Sequence, residues 1–231
     1  MNSISIIIPT FNESENISRL ITRLQMEKSV LIKEIVVVDG GSSDDTVNIA
    51  RNFTVSVAVS PLKGRASQMN YGASLAAGDI FYFVHADTLP PIGFSEDIIN
   101  SIQKGNSIGR FCTRFSSNNL MLKCNAFFTR FDLFVCYGGD QTLFIKRELF
   151  ETLNGFDDSM RIMEDYDIVM RAKQKDKYGI ILKDVLVSAR KYETNNWWQV
   201  QKANFTIVQM FKKGASQEEM ATKYKKMLNY R

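Results

Sequence analysis

The sequence predicts an α/β fold, a mainly parallel sheet flanked by helices on both faces. Short apolar runs at Ser5–Pro9, Glu34–Asp39 and Ile80–Val84 read as strands buried on both sides. Helix-compatible stretches separate them and give a β-α-β-α-β-α-β order over the first half of the chain. Polar residues stand where these strands end, and in an open parallel sheet ligands bind outside the carboxyl ends of the strands.

After Ser5–Pro9, either Asn12 or Ser14 can cap a helix carrying Ile17, Leu20, Ile21 and Leu24 at helical spacing. After Glu34–Asp39, Ser42 or Ser43 can cap a second helix with Val47 and Ala50. Val55, Val57 and Val59 alternate as a strand does. Ala66–Ala77 is rich in small residues and suits a helix that Gly78 stops. Ile80–Val84 then leads into His85-Ala86-Asp87.

The second half is less regular and is expected to be mixed. Ile108–Phe115 and Gln141–Lys146 read as strands, and Glu148–Leu153 as a short helix closed by Asn154-Gly155. Glu164–Lys173 opens another helix, and Ile180–Ser188 is a late strand. From about Asn195 the pattern is helical, with Ser216 and Glu219 spaced as a capping box. No internal repeat or low-complexity segment interrupts the 231 residues. They read as a single domain with a ligand-binding half at 1–90, a second half at 91–194 and C-terminal helices at 195–231.

The chain carries 29 basic and 25 acidic residues, a net charge of +4, which is no nucleic-acid footprint. Its 45% hydrophobic content suits a globular protein with a buried core. Cys112, Cys124 and Cys136 form no C-x-x-C pair, which fits a reducing compartment and argues against a disulfide framework or a zinc site. The start MNSISIIIPTFNE has no basic segment before its apolar run, and no stretch approaches a spanning helix. A cytoplasmic location is expected, with membrane-surface contact left open. Trp197-Trp198, Phe205, Val208 and Phe211, mixed with Lys202, Lys212 and Lys213, suit either a membrane-surface helix or one packed on the core.

Glu13, Asp39 and Asp87 fall on one rim of the expected sheet. Such carboxylates repel one another unless a cation or hydrogen-bond donors compensate, and a metal-bound diphosphate supplies both. Singly, Asp39 suits a tight Asp-Gly turn, Asp87 a turn before Pro90, and Glu13 the first turn of a helix. Their recurrence at successive strand ends is what points to a site. There is no G-x-G-x-x-G after the first strand and no P-loop, which counts against a dinucleotide dehydrogenase and a P-loop NTPase. Phosphate would be held by metal, loop amides or basic residues, and Lys63 and Arg65 flank Gly64 just before a helix. Gly138-Gly139-Asp140-Gln141 suits either a hairpin turn or the lining of an acceptor pocket.

IIIPTFNE (6–13), IVVVDGGSSDDT (35–46), KGRASQMNYG (63–72), GDIFYFVHADT (78–88), GFD (155–157) and EDYD (164–167) fall in order. Together they resemble glycosyltransferase family 2, whose fold is GT-A: a Rossmann-like, mainly parallel sheet with a mixed acceptor-side half. HADT in place of D-x-D is similar to a small, soluble bacterial branch. The resemblance covers roughly the first three quarters of the chain and rests on the ensemble.

That resemblance implies transfer of a sugar, with inversion, from a nucleotide diphosphate sugar to a hydroxyl acceptor. The donor would be a UDP-sugar, and Mg2+ or Mn2+ would assist. It places Thr10 and Glu13 at the nucleoside, Asp39 at the base, and Lys63, Arg65 and Asn70 beside the base or diphosphate. Asp87 matches the metal-binding end of the D-x-D element. Asp165 matches the catalytic base, with Glu164 its neighbour. A hard cation with oxygen ligands would neutralise the departing diphosphate, and a carboxylate would deprotonate the acceptor hydroxyl. At a helix N-terminus the dipole favours the ionised form of Asp165.

The pattern has departures. His85, the only histidine, stands where D-x-D begins, and a polar supporting role is expected for it. No later histidine exists to ligate metal, so metal binding would lean on Asp87, the diphosphate and water. A nucleotidylyltransferase would show a Gly-rich basic loop after the first strand, which PTFNE is not. A non-catalytic nucleotide-sugar-binding protein would bind donor without transfer.

Overall fold

The structure, a computed structural model, describes residues 2–138 and 141–229. Asp140, and with it one expected acceptor-pocket residue, lies outside the described residues.

The first half builds β1 (Ile4–Thr10), α1 (Ile17–Gln25), β2 (Ile32–Asp39), α2 (Thr46–Arg51), β3 (Ser56–Val59), α3 (Arg65–Leu75) and β4 (Ile80–Phe83). The second builds β5 (Thr88–Leu89), α4 (Phe94–Gln103), β6 (Ile108–Phe115), α5 (Leu120–Phe128), β7 (Leu143–Lys146), α6 (Arg147–Thr152), α7 (Glu164–Lys173), β8 (Tyr178–Val187), α8 (Trp197–Lys212) and α9 (Gln217–Met227). One eight-stranded sheet runs through both halves in the order β3-β2-β1-β4-β7-β6-β8-β5. The β1–β2, β2–β3, β1–β4 and β6–β8 pairs are parallel. β7 is antiparallel to both β4 and β6, and β5 to β8, so every antiparallel pair includes a second-half strand.

The apolar strand runs are continuous because both faces of the sheet are covered. Ile7, Val36, Val38, Phe81 and Phe83 pack on one face with Met69 of α3, Ile168 and Val169 of α7, and Ile207 of α8. Ile6, Ile8, Val37, Tyr82 and Val84 alternate to the other face, under Leu20 and Ile21 of α1 and Ile98 of α4. Gly72 lets α3 approach the sheet: a Cβ there would meet Ile7 Cγ2 at 2.5 Å and Val38 Cγ2 at 2.9 Å.

Helix starts differ from expectation. Neither Asn12 nor Ser14 caps α1; its N-cap is Asn16, without a side-chain cap bond. Asn12 instead sits at φ 53° and accepts from the Ser43 amide at 2.8 Å, tying the β1 loop to the β2 loop. Neither Ser42 nor Ser43 caps α2, which starts at Thr46 with Asp44 accepting the Thr46 amide. The competing claim on both serines is the strand-end loop itself. At the other end of the chain, the Ser216–Glu219 capping box is formed.

Candidate active site

The carboxyl edge of β1, β2 and β4 gathers the expected residues. Thr10 and Asp39 are register partners at the ends of β1 and β2, both buried. The Gln68 side chain on α3 donates to Thr10 O at 2.7 Å and Val38 O at 2.9 Å, stitching the two strand ends together. Asp39 Oδ2 accepts the Gly41 and Ser42 amides, each at 2.8 Å, and Oδ1 accepts the Ser42 hydroxyl. The Asp39 carboxylate therefore shapes the loop that follows it; Oδ2 has both lone pairs engaged, while Oδ1 keeps one for a further donor.

Glu13 and Asp87 share a partner that sequence reading missed. Arg190 donates to both carboxylate oxygens of Glu13, at 2.8 Å to Oε2, and its Nη2 lies 3.2 Å from Asp87 Oδ2. The backbone delivers it: Thr88 pairs with Val187, and the Ser188 amide donates to Asp87 O, so the chain leaving β8 runs past the end of β4. Asn16 also donates to Glu13, at 2.7 Å.

The second cluster forms where α3 and α7 meet. Met163 (φ 71°) turns the chain so that Glu164 and Asp165 open α7. Both are buried, and the positive end of the helix offsets part of their charge. Arg65, first residue of α3, pairs with Glu164 Oε1, and its Nη2 lies 3.6 Å from Asp165 Oδ2. Glu164 Oε2 is buried with no hydrogen-bond partner among the described residues. Arg65 thus joins two motifs 99 residues apart.

His85 is buried at the end of β4, and burial, with the charge of Arg65 adding, pushes its pKa down to about 3. It is a neutral imidazole at ordinary pH. Lys63 lies in the exposed turn after β3. Asn70 is turned to another task. Its amide donates to Phe156 O at 2.8 Å and Asp158 at 2.9 Å and accepts the Phe156 amide, clamping the 155–158 turn rather than facing the Arg65 cluster.

Behind Asp165, Arg110, Tyr137, Gln141, Thr142 and Tyr178 line a cavity of about 10 Å³, the size of one water. Arg110 is 2% exposed and donates to Tyr178 Oη at 2.6 Å and to the Thr129 and Phe131 carbonyls. Sequence reading missed it, although an arginine between Ile108 and Phe111 in a strand is itself a signal. The Gln141 amide donates to Cys136 O, which fixes the strand entry beside Asp165. Among the described residues, no group of three or more His, Cys, Asp or Glu side chains is arranged to hold a metal ion.

Strand-end carboxylates, a guanidinium between two of them and an acidic pair at a helix N-terminus mark this edge of the α/β sheet as the candidate site. The glycosyl transferase family 2 profile matches residues 5–164, and the chain belongs to that family. Dolichol-phosphate mannosyltransferase of Pyrococcus furiosus is 34% identical over 110 residues, which are 46% of this chain and 31% of that protein. The chain therefore matches under a third of that relative's length. The fold is GT-A. S. aureus TarS 1-349 in complex with UDP-GlcNAc superposes with a TM-score of 0.69 at 17% identity, over 81% of this chain and 59% of that one. The mannosyltransferase PcManGT from Pyrobaculum calidifontis, in complex with GDP-Man and Mn2+, gives 0.68 at 17% identity, over 89% and 61%. No helix of the described residues is long and apolar enough to cross a membrane.

Proposed function

We propose that this protein is an inverting glycosyltransferase that moves a sugar from a nucleotide diphosphate sugar to a hydroxyl acceptor. The observation that carries the reading is the Arg65 bridge, which sets Glu164 and Asp165 against the carboxyl edge of the sheet. Asp165 takes the acceptor proton as the oxygen attacks the anomeric carbon. Glu164 holds Arg65, and its unpartnered Oε2 is available to a sugar hydroxyl. Thr10, Glu13 and Asp39 frame the nucleoside, and the loop 60–64 with Lys63 and Arg65 faces the diphosphate. Gln141 belongs to the acceptor side.

The strand-end residues fit a divalent ion. Asp87 offers hard oxygen, and His85 is neutral and competent to ligate. The guanidinium of Arg190 already balances Glu13 and Asp87, which supports a cation at this pair. Mg2+ is commonly bound through one or two protein ligands plus substrate phosphates, so the lack of a three-residue cage is no obstacle. Asp87 would hold Mg2+ or Mn2+ together with the diphosphate, and the ion would neutralise the leaving group. The ion would take the place of the Arg190 guanidinium at Asp87, which would leave Arg190 on Glu13.

TarS and PcManGT, which share the fold, hold UDP-GlcNAc and GDP-Man respectively, so the fold leaves the base open. A UDP-sugar is proposed because Asp39 retains acceptor capacity for an imide N–H. The test is thermal stabilisation by UDP-, GDP- and TDP-sugars, each with and without Mn2+. A metal-dependent rise with one nucleotide class is expected. Binding without transfer to any hydroxyl acceptor would support a sensor; no shift with any donor would remove the donor-site reading.

A further inference from the structure

The segment from α5 to the short turn at Phe134–Cys136 leaves its apolar side chains outside the core. Leu120, Phe127, Phe128, Phe131, Leu133 and Val135 are all exposed, Leu120 by 77% and Val135 by 67%. Within α5, Leu122 alone is buried. The rings pack on one another, Phe127 with Phe128 at 5.9 Å and with Phe131 at 5.5 Å between centroids, and so form a raised apolar surface. A contiguous patch of this kind marks an interaction site.

The charges around it are basic. Lys123 is exposed within the segment and Arg114 at the end of β6, while Arg130, also exposed, pairs with Asp184 of β8 at 3.3 Å. The one acidic residue between 114 and 136, Asp132, is held by Lys173 Nζ at 2.6 Å and by the Tyr137 hydroxyl. Aromatic rings ringed by lysine and arginine match the boundary between acyl chains and anionic headgroups. A second copy of the chain docked face to face would bring these cations against their own copies, which opposes that arrangement.

We infer that residues 120–135 dock this protein on an anionic lipid bilayer. The docking face is joined to the site: the Tyr166 hydroxyl donates to Val135 O at 3.3 Å, and the Phe134 and Tyr166 rings lie 5.1 Å apart. Tyr166 follows Asp165, so docking brings the acceptor side of the crevice to the headgroup level. On the glycosyltransferase reading, on which this consequence rests, the acceptor hydroxyl belongs to an amphiphile at that surface.

Sedimentation of the full chain with vesicles tests the inference. Vesicles of phosphatidylcholine with about a third phosphatidylglycerol should carry the protein down, and about 0.5 M salt should release most of it. Pure phosphatidylcholine vesicles should bind at least about tenfold less. Lys123→Glu with Arg114→Glu should weaken binding to anionic vesicles about 30-fold or more. Phe127→Ser with Phe131→Ser should weaken it at least about tenfold. The charge variant changes only exposed positions, so it stays interpretable if the phenylalanine variant fails to fold. Thermal stabilisation by nucleotide sugar should survive in the charge variant, which separates failure of docking from failure of the donor site. Equal sedimentation with both vesicle types, or none with either, overturns the inference. So does a lipid-free dimer that Phe127→Ser with Phe131→Ser abolishes, which assigns the patch to a second copy.

Discussion

Arg190 Nη2 stands 3.2 Å from Asp87 Oδ2, so the carboxylate proposed for metal binding already has a cationic partner. The two charges compete for one place. Arg190→Gln should therefore tighten Mn2+ binding in the absence of donor, because the competing guanidinium is gone. The same change should cost about 1 kcal/mol or less of stability, since the pair is partly exposed. Calorimetric titration with Mn2+ reads the first effect and denaturant unfolding the second. Weaker Mn2+ binding in the variant would show that Arg190 assists the ion rather than excluding it.

Asp165→Asn should leave donor binding intact and lower turnover about 100-fold or more, as expected for loss of a general base. Donor-induced thermal stabilisation and single-turnover transfer measure the two halves of that statement. Full turnover in the variant would move the base elsewhere.

Glu164 is 1% exposed and relies on Arg65, which is 38% exposed on its side chain. Arg65→Gln leaves a buried carboxylate without its cation. After allowance for the solvent around Arg65, the cost should be about 2 kcal/mol. A companion change, Arg65→Gln with Glu164→Gln, should recover part of it. No recovery in urea unfolding would mean that the pair is not the source of the loss.

His85 gives a pH dependence of definite sign. Its pKa falls from the ordinary 6.5 to about 3 in the folded protein, through burial first and the Arg65 charge second. Between those values the unfolded chain takes up a proton that the native state refuses. Stability is therefore full above pH 6.5 and declines as pH falls toward 3, by up to about 1.4 kcal/mol per pH unit from this residue. His85→Gln should flatten the slope of unfolding free energy between pH 6.5 and 4.5. An unchanged slope would place the effect in other groups.

Gly72→Ala puts a Cβ into Ile7 and Val38, at 2.5 and 2.9 Å. The crowding should outweigh the gain in helix propensity and cost about 1–3 kcal/mol, read as a lower midpoint in urea.

The parallel half of the fold was legible because both faces of its strands are buried, so the runs at β1, β2 and β4 stand out from their neighbours. The Glu164–Lys173 helix was legible for a different reason, an acidic first turn against a basic last turn. Two second-half helices were missed. In α4, Phe94, Ile98 and Ile102 carry a regular buried spacing that the two prolines before it obscured. In α5 there was no stripe to find, since nearly every face is apolar and most of it stays exposed. The candidate residues Thr10, Glu13, Asp39 and Asp87 were legible as lying at or just after strand ends. Arg190 was not, because its position depends on β8 pairing beside β5, a contact that no local pattern announces. Asn70 was assigned by its neighbourhood in sequence, while its amide is claimed by a turn 86 residues further on.

The link between Arg190 and Glu13 spans 177 residues of chain. During synthesis the parallel block β1–β4 can assemble early, since all four of its strands end before residue 84. The crevice they border stays open on one side until β8 has emerged and turned back. An incomplete chain thus holds a formed sheet but lacks the cation beside Glu13 and Asp87. The same order gives partial unfolding a direction: loss of the segment after β8 would uncouple the crevice while the strands beneath it persist.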